Sequence, residues 1–356
     1  MELSIVVPTY NEKENIQILL EKIGNEFRKN KIKGEVIVVD DNSADGTGQI
    51  LEKLKKRHSF LRIIHREGKL GLSSAVIAGF KIARGDVLGV MDADLSHPPE
   101  KIPEMFKLIK DNDADFAIGS RYIKGGEIKG WGIYRKMLSR GATLLARVFT
   151  DVKDPMTGFF MIKKECVKNK KLNPKGFKIL LELIIKANYK KIKEVPITFT
   201  NRKKGKSKAG TKEIIYYISN LASYLPYKKK VIEEFFKFAL VGLIGTAINI
   251  VILYYFTEFL NMYYLASATL AFLVAVTSNF ILNKIWTFKE KIHHEAAVKY
   301  SKFFIVSIVA LVFNLFFLYI LTEFFQIYYI VSQIIAIGLA LIINFLGNKI
   351  WTFNSR

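Results

Sequence analysis

Cysteine is almost absent. Cys166 is the sole one in 356 residues, which excludes an intrachain disulfide and a multi-cysteine metal site and suits a reducing, cytosolic setting. Acidic residues are scarce too, 32 Asp and Glu against 54 Lys and Arg, for a formal net charge of +22. A secretory leader is not expected: MELSIVVPTYNE carries Glu2, and its apolar run is only a strand's length before Pro8. Half of the residues are nevertheless hydrophobic. Apolar and charged residues must therefore be segregated along the chain, and the length suits two domains rather than one core.

The positive charge is concentrated. Residues 163–230 hold 20 Lys and Arg against 4 Asp and Glu, an excess of 16 out of the net +22. Such a block seeks nucleic acid, an acidic membrane face or phosphorylated substrates, or else is the solvated Lys-rich surface of a thermophile's protein. The apolar character of the chain beyond this block favours the membrane over nucleic acid. Four apolar stretches, 235–259, 263–282, 303–324 and 328–346, are each long enough to cross a bilayer as a helix. They repeat without a gap: NKIWTF begins at Asn283 and at Asn348, TEF at Thr257 and Thr322, and Asn249 matches Asn314, always at an offset of 65. Each unit is a pair of helices, so the duplication is parallel. The turns 261–264 and 325–329 lack charge, whereas Lys228 to Lys230, the segment 284–302 and the tail from Lys349 are basic. The cationic side, with both ends of this half and everything from Met1 to Lys230, is expected to face the cytoplasm at the cell membrane. Asn249, Asn314, Asn279 and Asn344 lie at membrane depth and are expected to bond between helices. Apolar residues recur at helical spacing across 211–225, which suits a helix in the interface or a core helix of the preceding domain. The expected division is 1–210, an interfacial segment 211–234, and a membrane domain 235–356.

Across positions 1–200, β-branched apolar runs alternate with amphipathic stretches of helix length. This is the pattern of an α/β fold with a mostly parallel sheet covered on both faces, whose ligands bind at the carboxyl ends of strands. Acidic residues cluster at those ends: Glu12 after the first strand, Asp40 and Asp41 after the second, Asp92-Ala93-Asp94 after the fourth. Each alone could cap the next helix; together they need a cation or a set of donors. In an extended chain Asp92 and Asp94 point to one side and can share a hard divalent cation, or divide between the cation and a ribose hydroxyl, so the pattern suits a metal-diphosphate site.

SIVVPTYNE, VVDDNSADGT, HREGKLGLSSAVIAGF, DADLSHPPE, GSRY and DPMTGFF, in this order over residues 1–210, resemble the family 2 glycosyltransferases of GT-A fold, in the branch of the dolichol-phosphate mannose synthases. The repeated half resembles the GtrA-like four-helix membrane module. The resemblance implies nucleotide-sugar contacts from Pro8, Tyr10, Glu12, Asp40, Asp41 and the 69–71 loop with Lys69 and Gly71, with Asp92 and Ala93 near ribose and sugar. Asp94 would be a ligand of Mg or Mn, with Asp92 beside it. Where the family often carries Gln this chain has Ser96, whose shorter hydroxyl would ligate through water or not at all. The implied activity is inverting transfer of mannose from GDP-mannose to dolichyl phosphate.

A lipid phosphate has a second pKa of about 6 and is largely dianionic near neutrality, so it needs no general base. It needs a cationic clamp. Arg121, Arg135 and Ser139 one turn later, and Arg202 and Lys208 in NRKKGKSKAG are the candidates; Arg121 and Arg135, with Asp92 and Asp94, form the expected catalytic set. GKS here is no P-loop, because Thr200 stands where the upstream glycine belongs. His97 reads as a loop residue before Pro98-Pro99. Two other readings stand beside this one. One is a polyprenyl-phosphate glucosyltransferase using UDP-glucose; the other is a lipid-linked sugar flippase whose soluble half senses nucleotide. No Gln-x-x-Arg-Trp occurs after the catalytic region, which argues against a processive synthase.

Overall fold

Side chains of the first strand, β1 (Leu3–Thr9), part by parity: Leu3, Ile5 and Val7 enter one hydrophobic core and Val6 the other. The second strand, β2 (Gly34–Asp40), does the same with Val36 and Val38 against Ile37 and Val39. A strand with both faces buried must sit inside a covered sheet, which is why these runs are continuously apolar rather than alternating with polar residues. The remaining strands are β3 (Leu61–His65), β4 (Val87–Val90), β5 (Phe116–Ser120), β6 (Glu127–Lys129), β7 (Phe160–Lys163), β8 (Ile192–Pro196) and β9 (Thr198–Thr200). Seven form one sheet in the order β3-β2-β1-β4-β7-β5-β8, with β7 antiparallel to both neighbours and the other pairings parallel. β6 and β9 pair apart from it as a small parallel sheet.

The computed structural model describes residues 1–172, 179–201, 211–291 and 295–353. They fall into two compact units, Met1–Tyr227 and Lys228–Arg356. In the first, helices α1 (Ile16–Lys29), α2 (Thr47–Lys55) and α4 (Ile102–Lys110) cover one face of the sheet through residues such as Leu19, Ile23, Leu51 and Met105. Helices α3 (Leu72–Ile82) and α7 (Ile179–Lys186) cover the other through Val76 and Leu183; the short α6 (Lys164–Val167) lies between β7 and α7 in sequence. This is a GT-A-like arrangement, mostly parallel, and it brings the ends of β1, β2 and β4 to one edge.

One element differs from the reading of the sequence, and another takes the second of the two forms that reading left open. β4 stops at Val90, so the Asp-x-Asp segment is not extended: Ala93 and Asp94 lie in a turn and Leu95 takes φ +60°. The stretch expected at the interface forms α8 (Thr211–Tyr224), and Tyr224 packs with Ala146 and Phe149 while the Tyr217 hydroxyl donates to the Ala142 carbonyl at 2.6 Å. At least one face of α8 is therefore committed to α5 (Ile133–Ala146) and the segment after it, as in a core helix.

The second unit is helical: α9 (Lys229–Tyr254), α10 (Tyr264–Leu282), α11 (Ala296–Tyr319) and α12 (Tyr329–Gly347). All four are long and apolar enough to cross a membrane, and each ends in a turn of π-helix. Those turns, Tyr255–Phe259 with Ile320–Phe324 and Asn283–Thr287 with Asn348–Thr352, carry the duplication into the backbone. Of the asparagines at membrane depth, Asn314 accepts from Gln333 of α12 at 3.5 Å, whereas Asn344 accepts from Asn348 one turn on. Asn279 lies where a Cβ on Gly245 of α9 would come within 2.2 Å of its Oδ1, so glycine permits the α9–α10 approach.

Candidate active site

The loops after β1 and β2 are stitched together. The Asn11 amide donates to Ser43 Oγ at 2.8 Å, the Ala44 amide to Asn11 Oδ1 at 3.0 Å, and the Glu12 amide to Thr47 Oγ1 at 3.0 Å. Asn11 takes φ +56° to make this turn, a conformation that asparagine tolerates better than most residues. Pro8 is buried within β1, while Tyr10 and Glu12 lie past its end at intermediate exposure. Asp40 is buried and accepts from Ser43. Its neighbour Asp41, equally buried, accepts from the Arg66 side chain and, through Oδ2, from the Gly71 amide at 2.8 Å.

Arg66 was not among the candidates the sequence offered, and it organises this corner. Its other guanidinium nitrogens donate to Ser74 Oγ at 2.7 Å and the Gly71 carbonyl at 2.9 Å. One side chain thus ties the end of β2 to the start of α3 and closes the intervening loop. Gly71 sits at φ +95°, where a side chain would be strained. The closed loop carries Lys69, whose Nζ stands 4.4 Å from the centre of the Tyr10 ring. The only sequence signal was the HREGKLG motif itself, whose arginine directly follows β3.

After β4, Asp94 is buried and its Oδ1 accepts from the Ser96 amide at 3.1 Å. Asp92 is less covered, and a Cβ on Gly158 would stand 2.6 Å from its Oδ2, so the glycine of DPMTGFF forms the floor beneath this carboxylate. Ser96 Oγ is buried with no hydrogen-bond partner. His97 is fully buried between Phe159 at 5.6 Å and Phe199 at 5.2 Å, and burial lowers its pKa despite Asp92 nearby, so the ring is neutral near pH 7.

The cationic wall stands next to this loop. Phe199 of β9 lies 5.4 Å from Trp131, and Trp131 lies under Arg135 at 4.1 Å. Arg135 also donates to Asn201 Oδ1 at 3.0 Å, and the Thr200 amide donates to the Ser96 carbonyl at 3.1 Å. β9 therefore touches the carboxylate loop and the arginines at once. Ser139 shares a 2.9 Å hydrogen bond with the Tyr122 hydroxyl.

Arg121 requires a correction. Its fork is not held open for a ligand: Nε and Nη2 donate to the two oxygens of Asp154 at 2.7 and 2.8 Å, and its amide joins them at 2.9 Å. Both residues are buried. Burial would lower the guanidinium pKa, but Asp154 outweighs it and the pKa is raised. A side chain free to clamp the lipid phosphate is the expectation; the aspartate of DPMTGFF folds back to neutralise it instead. Arg202 and Lys208 lie outside the described residues.

The hard oxygen set of Asp92, Asp94 and the unpartnered Ser96 hydroxyl fits a divalent cation by donor chemistry. No cluster of three or more acidic, histidine or cysteine ligands exists among the described residues, so such an ion would rely on a nucleotide diphosphate to complete its shell.

Comparison with known proteins agrees with both units. Residues 4–169 match glycosyl transferase family 2, and residues 237–353 match the GtrA/DPMS transmembrane domain. A dolichol-phosphate mannosyltransferase of Pyrococcus furiosus is 39% identical over 353 residues, 98% of each chain. One from Saccharomyces cerevisiae is 41% identical over 241 residues, 64% of this chain and 88% of its own. Among solved structures, S. aureus TarS 1-349 in complex with UDP-GlcNAc aligns with TM-score 0.52 at 16% identity, covering 96% of this chain and 90% of that one, a likeness of fold alone. With a full-length relative at that identity, and a transferase domain followed by four apolar helices, the chain is a membrane protein that belongs to the dolichol-phosphate mannosyltransferase family of family 2 glycosyl transferases.

Proposed function

We propose that this protein transfers mannose from GDP-mannose to the phosphate of dolichol, with inversion, at the cytoplasmic face of the cell membrane. The observation that carries the reading is the contact of β9 and the residue after it with two groups at once, the Asp92–Ser96 loop through Thr200 and the arginine wall through Phe199 and the adjoining Asn201. A donor diphosphate and an acceptor phosphate repel each other. A site that joins acid-bound metal to fixed cations brings them together. The names of the relatives, one of them full-length, supply the sugar and the lipid class.

Asp94, with Asp92 and Ser96, would hold Mg or Mn, and the ion would neutralise the departing diphosphate. Tyr10, Lys69 and the loop closed by Arg66 would receive the nucleotide, with Glu12, Asp40 and Asp41 holding that pocket's shape. Because a buried carboxylate neutralises Arg121, Arg135 would bear the larger share of the acceptor phosphate, assisted by Ser139 and by Arg202 and Lys208. Arg121 would position the aromatic face of Trp131 and Phe199, whose ring centres lie 5.5 and 5.4 Å from its guanidinium. The basic stretch 163–230 would keep the site at headgroup level, where a lipid phosphate enters while its tail stays in the bilayer. The divisions 1–210, 211–234 and 235–356 would then correspond to transferase, interfacial and anchoring segments.

The test is transfer of label from GDP-mannose, and in parallel from UDP-glucose, to dolichyl phosphate in detergent, with and without EDTA. Chelator-sensitive label in the lipid phase from GDP-mannose alone is the expected outcome. Label from UDP-glucose alone would replace the sugar and keep the site chemistry, and label from neither would refute the reading.

A further inference from the structure

In the membrane unit, repeat mates face one another across the two halves at the basic end. Phe288 stacks on its mate Phe353 with ring centres 4.4 Å apart and planes 17° from parallel. Phe238 and Phe303, and Phe280 and Phe345, are also mates, and all join the same aromatic layer. This local two-fold relation dictates an equivalence: whatever Lys349 of the second copy meets in the first, Lys284 of the first copy should meet in the second.

Lys349 meets Glu234, which is buried and bonded to it. The mate of Glu234, however, is Lys299. The exchange has a visible origin, because the helix-start pair Lys230–Glu234 of the first copy is written in reverse as Glu295–Lys299 in the second. Either order serves the one-turn pair, at 3.9 Å in both copies. Across the halves the exchange is not neutral, for it places lysine toward lysine. Lys284 and Lys299 have side chains only 2% and 4% exposed. Two buried ammonium groups brought together need more negative charge than Glu295, 61% exposed and 3.9 Å from Lys299, supplies.

Glu290 supplies that charge. It lies in the connection between the copies, its amide donates to the Lys284 carbonyl at 2.8 Å, and its carboxylate reaches Lys284 at 3.1 Å and Lys299 at 2.7 and 2.8 Å. Its repeat position is Ser355, so nothing in the duplication accounts for an acid there. We infer that Glu290 is a latch: an acid that compensates the reversed helix-start pair of the second copy and fastens the connection between the two hairpins at their basic end. The latch is independent of what the transferase unit does.

The full chain in detergent tests it. Glu290→Gln should lower the thermal midpoint of the membrane unit by about 5 °C or more, because one partner of a buried ionic group has been removed. Adding Glu295→Lys and Lys299→Glu to that variant writes the first copy's polarity into the second and should recover most of the loss without Glu290. An unchanged midpoint in Glu290→Gln, or a triple variant no more stable than the single, would overturn the latch. If Glu290→Gln does not accumulate, yield in the membrane is compared instead: recovery in the triple variant supports the latch and no recovery overturns it.

Discussion

Gly158 lies so close beneath Asp92 that a Cβ on it would stand 2.6 Å from Oδ2 and 2.8 Å from Oδ1. Real Cβ atoms do not approach oxygen that closely, so Gly158→Ala must displace the carboxylate. Transfer should fall by about 10²-fold or more, as misplacement of a reacting group by about 1 Å commonly does. Initial rates with the thermal midpoint measured alongside check this; a rate within twofold of the parent would refute it.

Arg66 and Asp41 should act as a unit. Arg66→Leu frees the 67–71 loop and leaves Asp41 with an uncompensated buried charge, so nucleotide affinity should weaken about tenfold. Asp41→Asn should weaken it similarly, and the double variant should lose less than the two single losses added together, with a coupling of about 1 kcal/mol or more. Calorimetric titration of GDP across the four proteins measures it, and additive effects would show that the loop is closed by other contacts.

The two arginines of the wall should separate by phenotype. Arg121→Ala strands Asp154 in the interior and should destabilise the first unit by about 3 to 5 kcal/mol. Arg135→Ala, which loses a neutral partner in Asn201 and the Trp131 face, should leave stability within about 1 kcal/mol while raising KM for the lipid phosphate. Denaturant unfolding and steady-state kinetics distinguish them.

Asp115 is held down to about 2 by the hydrogen bond from Lys163, aided by the Lys190 and Lys191 amides. A depressed folded pKa means the stabilisation is complete above the unfolded value near 3.8 and is lost as pH falls toward 2. Asp115→Asn should lower stability by about 1 kcal/mol at neutral pH, discounted for solvent screening, and flatten the acid limb between those values. Urea midpoints at several pH values between neutrality and 2 provide the measurement.

Sheet strands and spans were legible for the same reason. Both-face burial and bilayer burial each demand uninterrupted apolar runs, and LSIVVPT and EVIVVDD stand out as strands just as the four duplicated stretches stand out as helices. Short elements were not. β6 and β9 are too brief to carry any periodicity, yet β9 joins the carboxylate loop to the arginine wall. The turn at Leu95 was equally silent, because a positive φ at leucine contradicts local preference and is imposed by its surroundings.

By itself the sequence determined which residues carry charge, where acids end strands, that four stretches are long and apolar enough to cross a membrane and that they are duplicated, since all of these depend on residue type and spacing along one dimension. Tertiary structure alone decided the pairings: that Asp154 neutralises Arg121, that Arg66 closes the loop over Asp41, that Gly158 floors Asp92, and that Glu290 answers two lysines. Each joins positions that are not neighbours in the chain, and only folding, which trades hydration for a partner inside a low-dielectric interior, selects which charge meets which.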